Sequence, residues 1–180
     1  MLYSVIGYYS LILGLCFSLI LIFFSIRNFR NSKILDTKIL SFTFLQFFFV
    51  IISFLCLVLS FVFSDFSNET VFNNSHTTKP LFYKIAGTWG NHEGSLLLWL
   101  FVLTLFILIF FLRSKDQPIK YKILTLIFQQ IIIIGFFVFL IMTSNPFNYL
   151  YPTPEEGLGL NPILQDPALV IHPPILYLGY

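Results

Sequence analysis

The sequence predicts an all-α integral membrane protein: four transmembrane helices, the start of a fifth, and two long loops on the outer face. Three observations carry this reading. Hydrophobic residues make up 57% of the 180 and charged residues 10%, whereas a soluble domain carries about 25% charged residues. Four apolar stretches, 3–26, 39–63, 95–112 and 123–143, contain no Asp, Glu, Lys or Arg. Their lengths of 24, 25, 18 and 21 residues compare with the about 20 that a helix needs to cross a roughly 30 Å hydrocarbon layer. Finally, eight of the ten basic residues fall in two short segments, 27–38 and 113–122.

The first stretch reads as a retained helix, because Met1-Leu2-Tyr3 supplies no basic start and no small-residue cleavage site follows. No presequence is expected ahead of it. The segment 27–38 carries Arg27, Arg30, Lys33 and Lys38; 113–122 carries Arg113, Lys115, Lys120 and Lys122. The positive-inside rule makes these the inner loops, on the cytoplasmic or matrix face. Six of the eight acids (Asp65, Glu69, Glu93, Glu155, Glu156 and Asp166) fall on the other side. Both termini and the outer segments 64–94 and 144–180 therefore face the periplasm or the intermembrane space, and 1–180 forms a single membrane unit.

Composition also excludes several chemistries. Two cysteines, Cys16 and Cys56, cannot make a disulfide scaffold, a four-cysteine zinc site or an iron–sulfur cluster. Both lie in apolar stretches and read as packing residues. Without a C-x-x-C-H motif the chain does not attach its own c-type haem. No charge lies mid-membrane, which disfavours a transporter. The expected environment is membrane lipid, with no nucleic-acid partner. Phe (24) and Ile (23) abound while Ala occurs twice, a bias of A/T-rich codons that points to an organelle or a reduced bacterium.

The outer segments hold all three histidines. Residues 64–79 are polar and read as a solvated loop, with His76 exposed to solvent. Two sequons, at Asn68 and Asn73, carry no weight without a secretory context. In 80–99, aromatics alternate with glycines ahead of the third helix, expected to start at Ser95 with Ser95 as its N-cap. Trp89 and Trp99 fit an aromatic belt at headgroup level. His92 and Glu93, being adjacent, do not face each other on a helix and serve different partners. They read either as capping and anchoring groups or as a functional pair entering the membrane. Their H-E lacks the second histidine of a zinc protease. Segment 144–180 holds seven prolines, and long ordered loops are usually functional. Pro173-Pro174 is expected to open the fifth helix, leaving His172 at its N-terminal edge. There His172 is either a cap or a neutral imidazole able to ligate a metal or haem iron.

Four blocks then occur in order: W-G-N-H-E-G-S-L-L-L-W at 89–99, T-S-N-P-F at 143–147, N-P-I-L-Q-D-P at 161–167, and H-P-P-I-L-Y-L-G-Y at 172–180. Together they resemble the N-terminal part of the CcmF/NrfE family, the haem lyase subunit of cytochrome c maturation. The resemblance covers the whole chain and strengthens from Trp89 onward; Asn91 stands where the family usually has Gly. It implies a membrane subunit that takes haem b from a haem chaperone and positions it for thioether attachment to apocytochrome c at the outer face. By the same resemblance His172 is a haem axial ligand, His92 and Trp89 are further haem-binding candidates, and no residue is assigned a catalytic role. The family's tryptophan-rich haem segment and its other histidines lie beyond the H-P-P block. A second polypeptide carrying the rest of the haem lyase is therefore expected, as in a split mitochondrial form, unless the chain is part of a longer protein. The mitochondrial inner membrane is the expected location, with the bacterial cytoplasmic membrane as alternative. The competing reading is a non-catalytic accessory subunit of a respiratory complex, derived from the same family.

Overall fold

A computed structural model describes residues 1–31, 37–114 and 116–179. Lys33, Lys115 and Tyr180, with the middle of the expected inner loop 27–38, lie outside the described residues. The elements run α1 (Leu2–Asn31), α2 (Thr37–Val62), α3 (Glu69–Asn74), α4 (Leu81–Gly87), α5 (His92–Arg113), α6 (Ile119–Met142), a 3₁₀ turn (Pro162–Gln165) and α7 (Pro167–Gly179). Four of these, α1, α2, α5 and α6, are long and apolar enough to cross a membrane, and α7 is a shorter apolar helix. No strand forms among the described residues.

Each long helix buries one seam of residues spaced alternately three and four apart. In α1 it is Ser4, Gly7, Leu11, Gly14, Ser18, Leu21 and Ser25; in α2 it is Ile39, Thr43, Gln46, Val50, Ser53, Leu57 and Ser60. In α5 the seam runs Leu97, Leu100, Thr104, Ile107, Phe111, and in α6 Ile123, Leu126, Gln130, Ile133, Phe137, Leu140. A 3.5-residue period keeps one line of side chains facing a neighbour. Lipid offers helices no hydrophobic drive to associate, so small residues that admit close packing do that work. The α1 seam shows it directly: a Cβ at Gly14 would stand 2.9 Å from the Phe137 ring of α6. α1 packs on α2 and α6, and α5 packs on the same two. Phe23, Phe44, Phe63 and Phe128 point outward.

Within the membrane-spanning bundle three polar side chains meet. Gln46 and Gln130, both fully buried, exchange amide hydrogen bonds, each Nε2 donating to the other's Oε1 at 3.0 Å. The Ser18 hydroxyl donates to the same Gln130 Oε1 at 2.5 Å. One cluster thus ties α1, α2 and α6. Other hydroxyls, those of Ser25, Thr43, Ser60 and Thr104, donate to the carbonyl four residues back in their own helix, the usual local refuge for a hydroxyl without water.

The expected solvated loop 64–79 is instead a folded layer. α2 ends in a Schellman turn, with Asp65 N donating to Ser60 O at 2.9 Å, Ser64 N to Phe61 O at 3.2 Å, and Ser64 at φ 53°. Asn68 then caps α3: its Oδ1 accepts from Val71 N at 3.1 Å. Its Nδ2 donates to Ser4 Oγ at 3.1 Å and Pro146 O at 2.9 Å. Fully buried, this sequon asparagine is a structural hub. Polar composition reads as solvation, but Ser67, Asn68, Asn74 and Thr77 find their partners within the protein.

Residues 144–159 complete the layer. Glu69 N donates to Asn148 O, Leu150 N to Ser67 O, Leu158 N to Phe72 O and Gly159 N to Ser75 O, all between 2.8 and 3.0 Å. At Gly157 a Cβ would stand 2.1 Å from Ser75 O, so only glycine admits this approach. Phe147 reaches into the bundle, where its ring fills the space a Gly7 side chain would take. The α1 N-terminal amine pairs with Asp65 on the same side. Beyond these, Glu156 accepts from Thr77 N at 2.9 Å and Thr77 Oγ1 at 2.5 Å. His76, half-buried rather than exposed, stands 3.8 Å from the same carboxylate.

Two outcomes follow from this packing. Gln130→Leu strands the Gln46 amide and the Ser18 hydroxyl in an apolar interior and should destabilise the bundle by about 1–3 kcal/mol. Q46L/Q130L should cost less than the two single changes added, as measured by unfolding in detergent micelles. The second concerns pH. Thr77's hydroxyl and backbone N–H hold the Glu156 carboxyl down to about 2. A carboxyl lowered from about 4.3 stabilises the fold fully above its unfolded value and loses that effect as pH falls through its folded one. Protection of residues 153–159 from pepsin should therefore decline between about pH 4.3 and about 2, and Glu156→Gln should abolish that decline.

Candidate functional site

The turn between α4 and α5 is built by side chains closing on backbone. α5 opens at His92, three residues before the expected Ser95, because Asn91 is its N-cap. Asn91 Oδ1 accepts from Gly94 N at 2.7 Å while its Nδ2 donates to Gly87 O at 2.7 Å. At φ −136° the backbone is extended, so Asn fits without strain and supplies a favoured cap. Ser95, already helical, donates its hydroxyl to Trp89 O at 2.7 Å. A Cβ at Gly94 would stand 1.6 Å from Thr88 O, so the helix start presses directly on the turn. The block W-G-N-H-E-G-S is thus one closed structural unit.

His92 and Glu93 diverge from this turn, as the helical geometry requires. His92 is exposed and meets the Phe139 ring of α6 edge-on, with centroids 6.1 Å apart. Glu93 lines a polar cleft of about 160 Å³ with Glu69, Thr70, Asn73, Ser144 and Asn145. Among the described residues no three His, Cys, Asp or Glu side chains converge on a metal-sized point.

Both tryptophans, expected in a headgroup belt and, for Trp89, as a haem-binding candidate, hold α7. Trp89 Nε1 donates to Val170 O at 2.9 Å. Trp99 stacks on Tyr177 with centroids 5.5 Å apart and meets Phe136 edge-on at 4.9 Å.

α7 starts at Pro167, six residues before the expected Pro173. Asp166 caps it, Oδ1 accepting from Ala168 N at 2.8 Å and Leu169 N at 3.3 Å. Pro167 takes the first helical position, where its missing N–H is harmless. Pro173 and Pro174 therefore lie inside the helix, and His172 sits in its second turn rather than at its edge. Proline has no N–H to give the carbonyl four residues back, so Leu169 and Val170 lose their helical donors. A membrane-embedded helix tolerates this where a neighbour satisfies the freed group, and Trp89 does so at Val170.

The faces of α7 are distinct. Val170, Pro173, Pro174 and Tyr177 share the face toward α5, with Val170 3% exposed. On the other face Ala168, Leu169, His172, Ile175 and Leu176 are all exposed. The structure thus joins Trp89 to the helix of His172 and sends His92 to α6. Sequence reasoning missed Ser18, Gln46, Asn68, Gln130 and the Val170 carbonyl. The glutamines fall on the three-four seam of otherwise apolar helices, and the carbonyl follows from counting four back from Pro174.

Comparison with known proteins agrees with this architecture. The family described as Cytochrome C assembly protein matches residues 89–180. The cytochrome c-type biogenesis protein CycK of Rhizobium meliloti is 51% identical over 131 residues, which are 73% of this chain and 19% of that protein. CycK of Bradyrhizobium diazoefficiens is 43% identical over 178 residues, 97% of this chain and 26% of that protein. CcmF of Haemophilus influenzae is 39% identical over 177 residues, covering 97% and 27%. A solved structure titled Cytochrome c Heme Lyase CcmF superposes with a TM-score of 0.81 at 25% identity, over 98% of this chain and 28% of that one. The chain therefore spans 19% to 28% of the length of these relatives. With the family matched over the tryptophan turn, α5, α6 and α7, the chain belongs to the cytochrome c assembly proteins.

Proposed function

We propose that this chain presents His172 as one axial ligand to haem b, held as substrate at the outer face of the membrane for attachment to apocytochrome c. The observation that carries the reading is the exposed face of α7, where a single imidazole stands among Ala168, Leu169, Ile175 and Leu176. A porphyrin is a flat apolar disc with an axial coordination position, and this face offers a nitrogen donor bordered by apolar side chains. That fit, together with the family membership, supports the assignment.

The chain's own contribution is placement. An imidazole fixed on a rigid helix sets the height and tilt of the ring it holds, and so the plane in which its vinyl groups meet an incoming thiol. Such orientation supplies much of the rate in reactions whose covalent chemistry is intrinsic to the bound group. A bound haem contributes two vinyl groups. Each cysteine thiol adds across one vinyl double bond, sulfur to one carbon and hydrogen to the other, with no net electron transfer. Asp166 anchors the first turn of α7, and Leu169 and Ile175 flank the imidazole one turn away on either side. With its indole N–H engaged at Val170, Trp89 offers a haem only its ring face; His92, beside Phe139, offers a bordering imidazole.

The remaining haem ligands come from a second polypeptide or from further sequence of a longer protein, and the haem chaperone and apocytochrome c are the other partners. The clustering of Arg27, Lys38, Arg113, Lys120 and Lys122 at the opposite end of the bundle supports an orientation with α3, α4 and α7 toward the periplasm or intermembrane space. Composition supports a mitochondrial inner membrane; the bacterial relatives named above support the equivalent cytoplasmic membrane. His172→Ala in the full protein should lower haem retention by about tenfold or more, since losing even a ligand's supporting partner costs about 10–100-fold in metal affinity. Membrane insertion should be unchanged. A variant that retains its haem at the wild-type level, by optical spectrum of the purified protein, overturns the assignment.

A further inference from the structure

We propose that Trp89 is a positioning residue for His172: its indole N–H holds the carbonyl that Pro174 leaves without a helical donor, and this bond sets the register of α7 on α5. The inference rests on the reading of His172 as a haem ligand and gives a physical reason for Pro174, two residues after it.

In an unbroken helix the N–H of residue 174 would donate to Val170 O. Proline removes that donor, and Val170 is buried, 3% exposed, so water does not replace it. A buried carbonyl without a partner is costly. Trp89 Nε1 fills the vacancy at 2.9 Å. The turn carrying Trp89 is itself fixed by Asn91 and Ser95 and by the contact that admits only glycine at 94. A rigid donor therefore meets a carbonyl made available by sequence.

Seven residues on, Tyr177 stacks on Trp99. The two attachments lie two helical turns apart on one face, about 10 Å at 1.5 Å per residue. His172 lies between them along the axis and about 200° around the helix from Val170. Stacking and apolar contact tolerate sliding and rotation, whereas a hydrogen bond is directional. The bond at Val170 is thus what fixes the rotation of the opposite face, where the imidazole projects. Pro174 acts with Trp89 as a donor-and-vacancy pair joining two separated sequence blocks.

The test uses the full protein purified from its membrane with haem bound, in four forms: wild type, Trp89→Phe, Pro174→Ala and the double variant. Trp89→Phe keeps the ring and removes the donor. It should retain haem while shifting the midpoint potential and the low-spin EPR g-values, speed amide exchange over 168–171, and lower cytochrome c yield several-fold. Pro174→Ala restores a helical donor to Val170, so in that background Trp89→Phe should shift these readouts much less. Wild-type potential, g-values and exchange in Trp89→Phe would overturn the proposal, as would equal shifts in both backgrounds. His172→Ala separates the two readings: normal haem in that variant defeats the haem assignment, and exchange over 168–171 still decides whether Trp89 registers α7.

Discussion

Two amides facing each other inside an apolar bundle set the terms for the rest of this molecule. Gln46 and Gln130 each offer a donor and an acceptor, and each meets the other's need, with Ser18 joining at Gln130. In lipid, apolar side chains are equally at home against a neighbour or against a tail, so apolar packing alone specifies partners weakly. A polar group cannot make that exchange freely, because any rotation of its helix separates it from its partner. The cluster therefore fixes the rotation of α1, α2 and α6 about their axes. Once rotation is fixed, Gly7 and Gly14 face the Phe147 and Phe137 rings, and Ser4 meets the Asn68 amide.

The same logic of created and satisfied needs operates at the aqueous end. Asn68 serves one helix start and two distant segments with a single amide. Asn91 closes the turn before α5 from both sides. Pro174 leaves a vacancy that Trp89 fills. The Asn68 and Trp89 bonds link sequence blocks that lie far apart, so the end that carries α7 is held by a few directional bonds. The haem-presenting role proposed for α7 requires that kind of rigidity, since reaction at a ring edge depends on where the ring is held.

The four crossings were legible because composition and length alone decide them: uncharged runs of membrane length admit few other structures. The α7 start was misplaced because Pro173-Pro174 is a strong local signal for a helix beginning, and Asp166-Pro167 is an equally good one six residues earlier. Local rules do not rank the two; the Trp89 bond, a long-range contact, permits the longer helix. Segment 64–79 looked solvated for a similar reason. Asn, Ser and Thr read as loop residues unless their partners are known, and here those partners come from residues 4 and 146. Gln46 and Gln130 leave no charge signal in their apolar runs, although a glutamine on a buried seam carries the same demand for a partner. The histidines were found by residue type, but where each one points depends on helix starts that capping side chains decide.

The Phe147 ring lodged over Gly7 has a bearing on biogenesis. Gln130 and Phe147 lie on and just after α6, and both engage α1, which the ribosome delivers more than a hundred residues earlier. Until α6 is inserted, the N-terminal helix has neither its amide partner nor the ring that occupies its glycine notch. The first hairpin must therefore wait in the bilayer with its small-residue groove open to lipid. Arrival of α6 closes the groove within the bundle and at its aqueous rim together, so α6 acts as the keystone of α1.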